Sequence, residues 1–521
     1  MKNFAAERLV VGIAGTGAMG RGIAQVIAQA GCEVLLYDVR EGAAAKALDY
    51  VAGMLARLVE KGRLTPAQQA AMVASMRVVD DVAAFAPCDL VVEVIVENLA
   101  VKRDFFVKLE AATREDCVLA TNTSSLSVTA IAAGCARPGR VAGYHFFNPV
   151  PLMRVVEVVA GVRTVPAVCD ALAALARRYG HQAVRAADTP GFIVNHAGRG
   201  YGTEALKILQ EGVAEFHVID RIMTDAAGFR LGPFELLDLT GMDVSHPVME
   251  SIYRQYYEEP RYRPSVIGQQ RTDAGLLGRK TGAGFYRHDE GKQEVFADAA
   301  LRAQRPASIW ISRANPAGHA AAAACLAGSG IPIENGATPS AAALIIVTPL
   351  GTDATGTALD EGLDPARTVA LDTLLPLSKR RTLMTTPVTL PSFRDAAHGA
   401  FGAAQGASGA GSDAAASTGV PVSVIRDSAG FVAQRILATI VNIGCDIVQQ
   451  RICTPGDLDL AVTLGLSYPR GPLAFGDALG PASILTILTN IHRLTGDPRY
   501  RPSPWLTRRA RLGVSLLTPD T

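Results

Sequence analysis

An excess of charge of either sign is missing from this 521-residue chain: 50 Lys and Arg stand against 49 Asp and Glu, a formal +1 with His neutral. A balance so near zero gives no global basic field to draw in nucleic acid or an anionic membrane. Long apolar runs are missing too, since no stretch of about 20 residues escapes Gly, Pro or charge as a spanning helix requires. Residues Met1 to Val10 carry Lys2, Glu7 and Arg8 and no apolar core of signal-peptide length. Eight cysteines run from Cys32 to Cys453 without a CxxC pair, which indicates neither a zinc site nor a disulfide framework. The nine histidines show no HExxH or paired spacing, so no metal is expected. The expectation is a reduced, cytoplasmic protein with no nucleic-acid or membrane partner. At roughly 150 residues per domain, its length suggests three or four domains.

What is present begins at the N-terminus. Leu9 to Ala14 is a short apolar run rich in β-branched residues and reads as a buried strand. It passes directly into Gly15-Thr16-Gly17-Ala18-Met19-Gly20, and Arg21 to Ala30 then reads as a helix ended by Gly31. Glu33 to Asp38 reads as a second strand. A GxGxxG by itself is weak, but here it joins a strand to a helix, with an acid about 20 residues on, as a dinucleotide fold requires. Gly15 allows the tight turn, Gly17 the approach of a pyrophosphate, and Gly20 close packing of helix on strand. The helix N-terminus offers unpaired N–H groups to the diphosphate. Asp38 is placed to accept from the adenosine ribose and to repel a 2′-phosphate, which favours NAD over NADP.

Further helices (43–60 and one after Pro66) and strands (89–95, 118–122) continue the alternation, implying a parallel, doubly wound sheet with ligands at its carboxyl edge. Glu97, Asn122 and Ser124 fall at such strand ends.

Five segments then carry a specific pattern: Thr121 to Leu126, His145-Phe146-Phe147-Asn148-Pro149-Val150, Asp188 to Asn195, Gly232 to Asp238, and Lys280 to Tyr286. Together they resemble the L-3-hydroxyacyl-CoA dehydrogenase family over about residues 7 to 290, in its long bacterial form. The resemblance implies NAD-dependent oxidation of a 3-hydroxyacyl-CoA, of short-chain or dicarboxylic type, in fatty-acid (β-oxidation) or aromatic (phenylacetate) catabolism. It implies His145 as general base, Glu157 as its orienting carboxylate, Ser124 as the hydroxyl on the substrate's C3 oxygen, and Asn195 as the amide completing that cluster. Glu97, Lys102 and Asn122 match residues lining the nicotinamide and its ribose. Lys61 matches a lysine near the CoA moiety, whereas Met54 stands where the family has a serine.

The chemistry explains the residue types. Oxidising a secondary alcohol removes the hydroxyl proton while hydride leaves the same carbon, and imidazole is the natural base at neutral pH. The imidazolium formed in a water-poor cleft is costly unless paired. Glu157, beyond the Pro149/Pro151 turn, can fold back to fix the tautomer and offset that charge, as in hydrolase triads but without a nucleophile. Ser124 and Asn195 can hold the C3 oxygen as an oxyanion hole does. Taken singly, Ser124 could equally be a helix N-cap and Asn195 a helix-surface amide; His196, next to Asn195, reads as pointing away and non-catalytic. A dehydrogenase of a free hydroxy acid or sugar acid, and a non-catalytic binding or structural protein, remain the alternative readings.

The second half repeats the first. Asp188, Asp220, Gly232-Pro233, Asp238 and Gly241 recur as Asp427, Asp459, Gly471-Pro472, Asp477 and Gly480, at a constant spacing of 239 residues. Pro260 to Pro264 recurs as Pro498 to Pro502, one residue shorter in spacing. The expected organisation is an α/β Rossmann-like domain (1–187) and an all-α domain (188–290), followed by a degenerate Rossmann-like domain without a phosphate loop (300–420) and a second helical domain (427–521). Arg313 to Gly318 stands where glycines would cradle phosphate, Leu383 where His145 would fall, and Gln434 replaces Asn195. The Gly/Ala/Ser run from Gly402 to Ser417 reads as a linker. Single-copy relatives pair through their helical domains, so the second copy could supply that surface internally; a homodimer is the other possibility.

Overall fold

The computed structural model describes residues 1–300, 302–402 and 419–520. Eight short apolar strands build the first sheet: β1 (Val10–Ala14), β2 (Glu33–Tyr37), β3 (Met76–Val78), β4 (Leu90–Glu93), β5 (Val118–Thr121), β6 (Val141–Phe146), β7 (Val155–Ala160) and β8 (Gln182–Ala187). Their order is β3-β2-β1-β4-β5-β6-β7-β8, parallel throughout except between β6 and β7. Helices α1 (Ala18–Gln29), α2 (Ala43–Glu60), α3 (Pro66–Ala74), α4 (Leu99–Ala112), α5 (Val128–Ala132) and α6 (Pro166–Arg178) connect them, and the short α7 (Val194–Ala197) follows. Because side chains alternate along a strand, Leu90 and Val92 join one buried cluster and Val91 the other. Both faces are covered, as a doubly wound sheet demands.

A helical run comes next: α8 (Arg199–Gln210), α9 (Phe216–Arg221), α10 (Pro233–Thr240), α11 (Met242–Gln255) and α12 (Val266–Asp273), closed by a hairpin of β9 (His288–Asp289) and β10 (Lys292–Gln293). The second sheet contains β11 (Ile309–Ile311), β12 (Ile333–Glu334), β13 (Leu344–Val347), β14 (Thr368–Leu371), β15 (Arg381–Thr385) and β16 (Val422–Arg426), in the order β12-β11-β13-β14-β15-β16. Helices α13 (Pro316–Leu326), α14 (Ala354–Asp360) and α15 (Pro391–Gly402) accompany it. The chain finishes with α16 (Val432–Gln449), α17 (Pro455–Leu466), α18 (Pro472–Leu479), α19 (Pro481–Thr495) and α20 (Pro504–Leu512). Apart from Gly402, the run read as a linker lies outside the described residues. Among the described residues no single helix is long and apolar enough to cross a membrane.

The chain divides into two compact units. One consists chiefly of Met1–Ala197 and Ile447–Gly471, the other of Gly198–Asp446 and Pro472–Thr518. Within the second unit the two helical copies meet face to face. Helices α8 and α16 cross where a Cβ on Gly200 would lie 3.3 Å from the Ile440 backbone. Buried Arg435 donates to Glu204 at 2.8 Å and to the Tyr500 hydroxyl at 2.8 Å, and that hydroxyl donates to Glu204 at 2.7 Å.

The second sheet corrects one expectation. Strands β13, β14, β15 and β16 pair parallel, antiparallel and parallel in turn, as β5, β6, β7 and β8 do. Thus β15 is the counterpart of β7, and β14 that of β6. A 3-10 turn precedes each of the latter, Pro138–Arg140 before β6 and Pro365–Arg367 before β14. Counted from those prolines, the residue matching His145 is Asp372, not Leu383. Asp188 and Asp427 do equivalent work: the first accepts the Val128 and Thr129 N–H groups at the start of α5, the second those of Ala354 and Thr355 at the start of α14. Residues 313–318 form a capped helix start, where Asn315 accepts from Gly318 N–H at 3.1 Å.

Candidate active site

The dinucleotide loop can be tested glycine by glycine. Gly15 has φ +97°, and a Cβ there would lie 2.5 Å from the Val94 carbonyl oxygen. At Gly20 a Cβ would lie 1.9 Å from the Gly15 carbonyl oxygen. These two glycines are required by packing inside the protein. Gly17 differs: no atom lies within 4 Å of its Cβ position, and it caps α1 with no side-chain bond to the helix N-terminus. Open space before uncapped N–H groups is what a diphosphate needs. A cavity of about 440 Å³ adjoins the loop, with Thr16, Gly17, Arg21, Arg40 and Lys46 in its lining. The residues present fit the cofactor.

Asp38 follows β2 and is already engaged. One carboxylate oxygen accepts from the Thr16 N–H (2.8 Å) and hydroxyl (2.9 Å), and the other from the Arg40 N–H at 3.0 Å. Burial opposes its ionisation, but the bonds from Arg40 and Thr16 outweigh it and hold the group at about 2.

At the ends of β4 and β5 lies a charge network that runs from a buried pair out to half-exposed Glu97. Lys102 and Glu93 are 1% and 0% exposed, with the ammonium 2.6 Å from Glu93 and 3.4 Å from Glu97. Glu93 also accepts from the Thr121 hydroxyl at 2.7 Å and the Ile95 N–H at 2.7 Å. Glu97 gathers the Thr123 hydroxyl (2.6 Å), the Ser124 N–H (3.0 Å) and the Ser125 hydroxyl (3.0 Å) on one oxygen. Burial resists its charge, yet these donors and the Lys102 ammonium hold its carboxyl below the usual range. The network rigidifies the loop bearing Ser124. Asn122 accepts the Phe146 N–H at 2.9 Å, fastening the ends of β5 and β6 together.

His145 stands directly opposite Glu157 in the antiparallel register of β6 and β7. Its Nδ1 lies 2.5 Å from Glu157 Oε2. The other carboxylate oxygen accepts the N–H groups of Ile193 (2.9 Å) and Val194 (2.8 Å). Gly191 and Phe192 bring them there by a sharp turn in the left-handed region, φ +78° and +48°. The rings of Phe147 and Phe192 flank the imidazole edge-on, at 4.5 and 5.8 Å between centroids. With Nδ1 committed to the carboxylate, the other ring nitrogen is the one available for proton transfer. Asn195, on α7, donates to the Ser124 carbonyl at 3.3 Å, which joins that loop to the end of the dyad.

Lys61 lies apart from this cluster, exposed at the C-cap of α2. The N-cap of α5 is Ser127, not Ser124. His196 is wholly buried. Sequence reasoning missed Glu93, Thr121, Thr123 and Ser125, as well as the two backbone donors to Glu157. An acid ending the apolar strand at Glu93 was the one available signal for a buried pair.

Comparison with known proteins agrees in coverage and kind. The family model described as 3-hydroxyacyl-CoA dehydrogenase, NAD binding domain, matches residues 10–189. The model for the C-terminal domain of the same family matches twice, over 191–288 and 430–515. The 3-hydroxyadipyl-CoA dehydrogenase of Escherichia coli K12 is 34% identical, covering 96% of this chain and 97% of that protein. A probable 3-hydroxybutyryl-CoA dehydrogenase of Deinococcus radiodurans is 39% identical over 53% of this chain and 99% of its own. The crystal structure of an Escherichia coli K12 3-hydroxybutyryl-CoA dehydrogenase superposes with a TM-score of 0.84, at 34% identity, covering 97% of this chain and 99% of that one.

Proposed function

The chain belongs to the 3-hydroxyacyl-CoA dehydrogenase family and is an NAD-dependent oxidoreductase, and from that premise we propose how its residues carry the reaction. His145 removes the proton from the C3 hydroxyl of an L-3-hydroxyacyl-CoA and returns it in the reverse direction. Glu157 holds the imidazole in the tautomer that leaves the far nitrogen basic, and offsets the imidazolium once it forms. The Ser124 hydroxyl and the Asn195 amide hold the C3 oxygen and its developing charge. Bound NAD would supply the hydride acceptor for the C3 carbon. Gly15, Gly17 and Gly20 would shape its diphosphate site, Asp38 would meet the adenosine ribose, and Glu97 and Asn122 would line the nicotinamide side, with Lys102 buried behind Glu97.

The observation that carries this reading is the His145–Glu157 contact of 2.5 Å, with the second carboxylate oxygen bound by two backbone N–H groups. A carboxylate fixed on both oxygens is preorganised to stabilise a cation. The names of the relatives support a short-chain or dicarboxylic acyl-CoA; fatty-acid or aromatic catabolism is the metabolic setting that belongs to this reading. Lys61 contacts the CoA moiety in this reading. The eight free cysteines support a reducing, cytoplasmic location. The domains run 1–187, 188–290, 300–420 and 427–521, and the second helical copy takes the place of a partner subunit.

NADH consumption with acetoacetyl-CoA, set against free 3-oxo acids, tests the proposal in wild type and His145→Ala. Thioester reduction should dominate, and loss of the base should lower kcat at least about 10²-fold. Equal turnover of the free acid overturns the substrate class; an unchanged His145→Ala rate removes His145 from the mechanism.

A further inference from the structure

The carboxylate that orients His145 is itself held by Ile193 and Val194, and what holds those residues comes from the far end of the chain. Helix α17, part of the second helical copy by sequence, packs within the first unit against β7, β8 and α7. The segment before it docks on the edge of the first sheet, where the Ile452 carbonyl accepts the Ala187 N–H at 2.8 Å. A close approach occurs at Gly465. A Cβ there would lie 3.0 and 3.1 Å from the two γ-methyls of Val194 and 3.7 Å from Val155. Val155 and Glu157 project from the same face of β7, two residues apart. Val194 gives its backbone N–H to Glu157 at 2.8 Å. Glu157, Val194 and Val155 are all buried, so displacing the valine disturbs close-packed neighbours.

We propose that Gly465 is a positioning residue for the dehydrogenase site: by seating α17 directly on Val194, it keeps the Val194 N–H on Glu157 and thereby His145 in register. The worn second copy thus completes the catalytic dyad's support without touching substrate or cofactor. This inference rests on the His145–Glu157 reading above. It identifies a place where a change about 310 residues along the chain from Glu157 reaches the base. The Cys453 thiol, just before α17, lies near Glu157 and near Asp457 and Asp459 of the helix; burial pushes the thiol up and keeps it neutral.

The test uses the full-length enzyme and acetoacetyl-CoA reduction. Gly465→Val should lower kcat about tenfold or more, while KM for acetoacetyl-CoA and the dissociation constant for NADH stay within about twofold. Gly465→Ala should fall between, because a single methyl at 3.0 Å demands a smaller shift. Gly456→Ala, on the same helix with nothing within 4 Å of its Cβ position, should retain wild-type kcat. Adding Val194→Ala to Gly465→Val should restore most of the lost kcat, a coupling expected only of residues in contact. Wild-type kcat in Gly465→Val overturns the proposal. So does a loss shared equally by NADH binding and melting temperature that Val194→Ala does not relieve. If His145→Ala abolishes turnover while Gly465→Val is silent, only this inference falls; if His145→Ala is itself silent, the dyad reading falls first.

Discussion

Arg261 and Arg499 make the same bond in opposite directions: Arg261 donates to the Arg501 carbonyl at 2.6 Å, and Arg499 donates to the Arg263 carbonyl at 2.8 Å. Each arginine belongs to one copy of a Pro-Arg-Tyr-Arg-Pro segment and reaches the carbonyl two residues beyond its equivalent. Reciprocity of this kind is the signature of an isologous, twofold interface between identical subunits. Here both sides belong to one chain, and both lie within the same compact unit.

If that interface replaces a partner, removing it leaves a surface built for burial. A chain ending after residue 290 should therefore expose the faces of α8 and of the 3-10 turn Pro260–Tyr262. The expected outcome is self-association, read by light scattering coupled to size exclusion: a dimer or aggregate, against a monomer for the full chain. A monomeric truncate with an undiminished melting temperature would show that the second helical copy covers nothing needed.

Substitutions at Glu157 separate its two bonds. Glu157→Gln keeps an acceptor for the Ile193 and Val194 N–H groups but removes the charge facing His145. Turnover should fall by roughly 10²-fold or more, by analogy with the carboxylate of a hydrolase triad, while the melting temperature changes little. Glu157→Ala should lose the same activity and also leave two buried N–H groups without a partner, each costing about 1–3 kcal/mol. Thermal melts beside single-turnover rates distinguish the two. Equal stability of the Gln and Ala variants would mean that water replaces the carboxylate.

The parts of this architecture legible in sequence were those encoded over short distances. The strand–GxGxxG–helix unit could be read because turn, packing and phosphate approach each demand glycine at a fixed step. The resemblance singled out His145 and Glu157, and the Pro149/Pro151 turn between them accounts for how the chain folds back to pair them. Glu93 could not be matched with Lys102 and Thr121 from spacing, since strand order decides which ends converge. Gly465 carried no signal at all: helical periodicity gives the apolar face of α17 but not the surface it covers. The sequence of 381–388 is locally similar to that of 140–150 and sets Leu383 against His145. Only the parallel–antiparallel–parallel pairing of β13 to β16 moves the match to Asp372.

Asp372 gives the degenerate half a measurable property. Buried just beyond β14, it accepts from the Gln434 amide at 3.0 Å and the Leu374 N–H at 3.1 Å, both on one oxygen. Gln434, in the place of Asn195, also donates to the Pro349 carbonyl and accepts from Gly351. Burial is the largest influence on Asp372 and pushes it up to about 6, against the pull of those two donors. A folded state that keeps a proton the unfolded chain releases near pH 4 loses stability as pH rises. The contribution should decline between about pH 4 and 6 and level off above, by about 3 kcal/mol. Asp372→Asn cannot titrate but still accepts from Gln434 and Leu374. Its melting temperature should gain on wild type as pH is raised from 4.5 to 6.5 and keep a constant difference beyond. Melting curves recorded across that range in matched ionic strength decide it, and a constant difference from 4.5 upward would mean that Asp372 is ionised in the folded protein throughout.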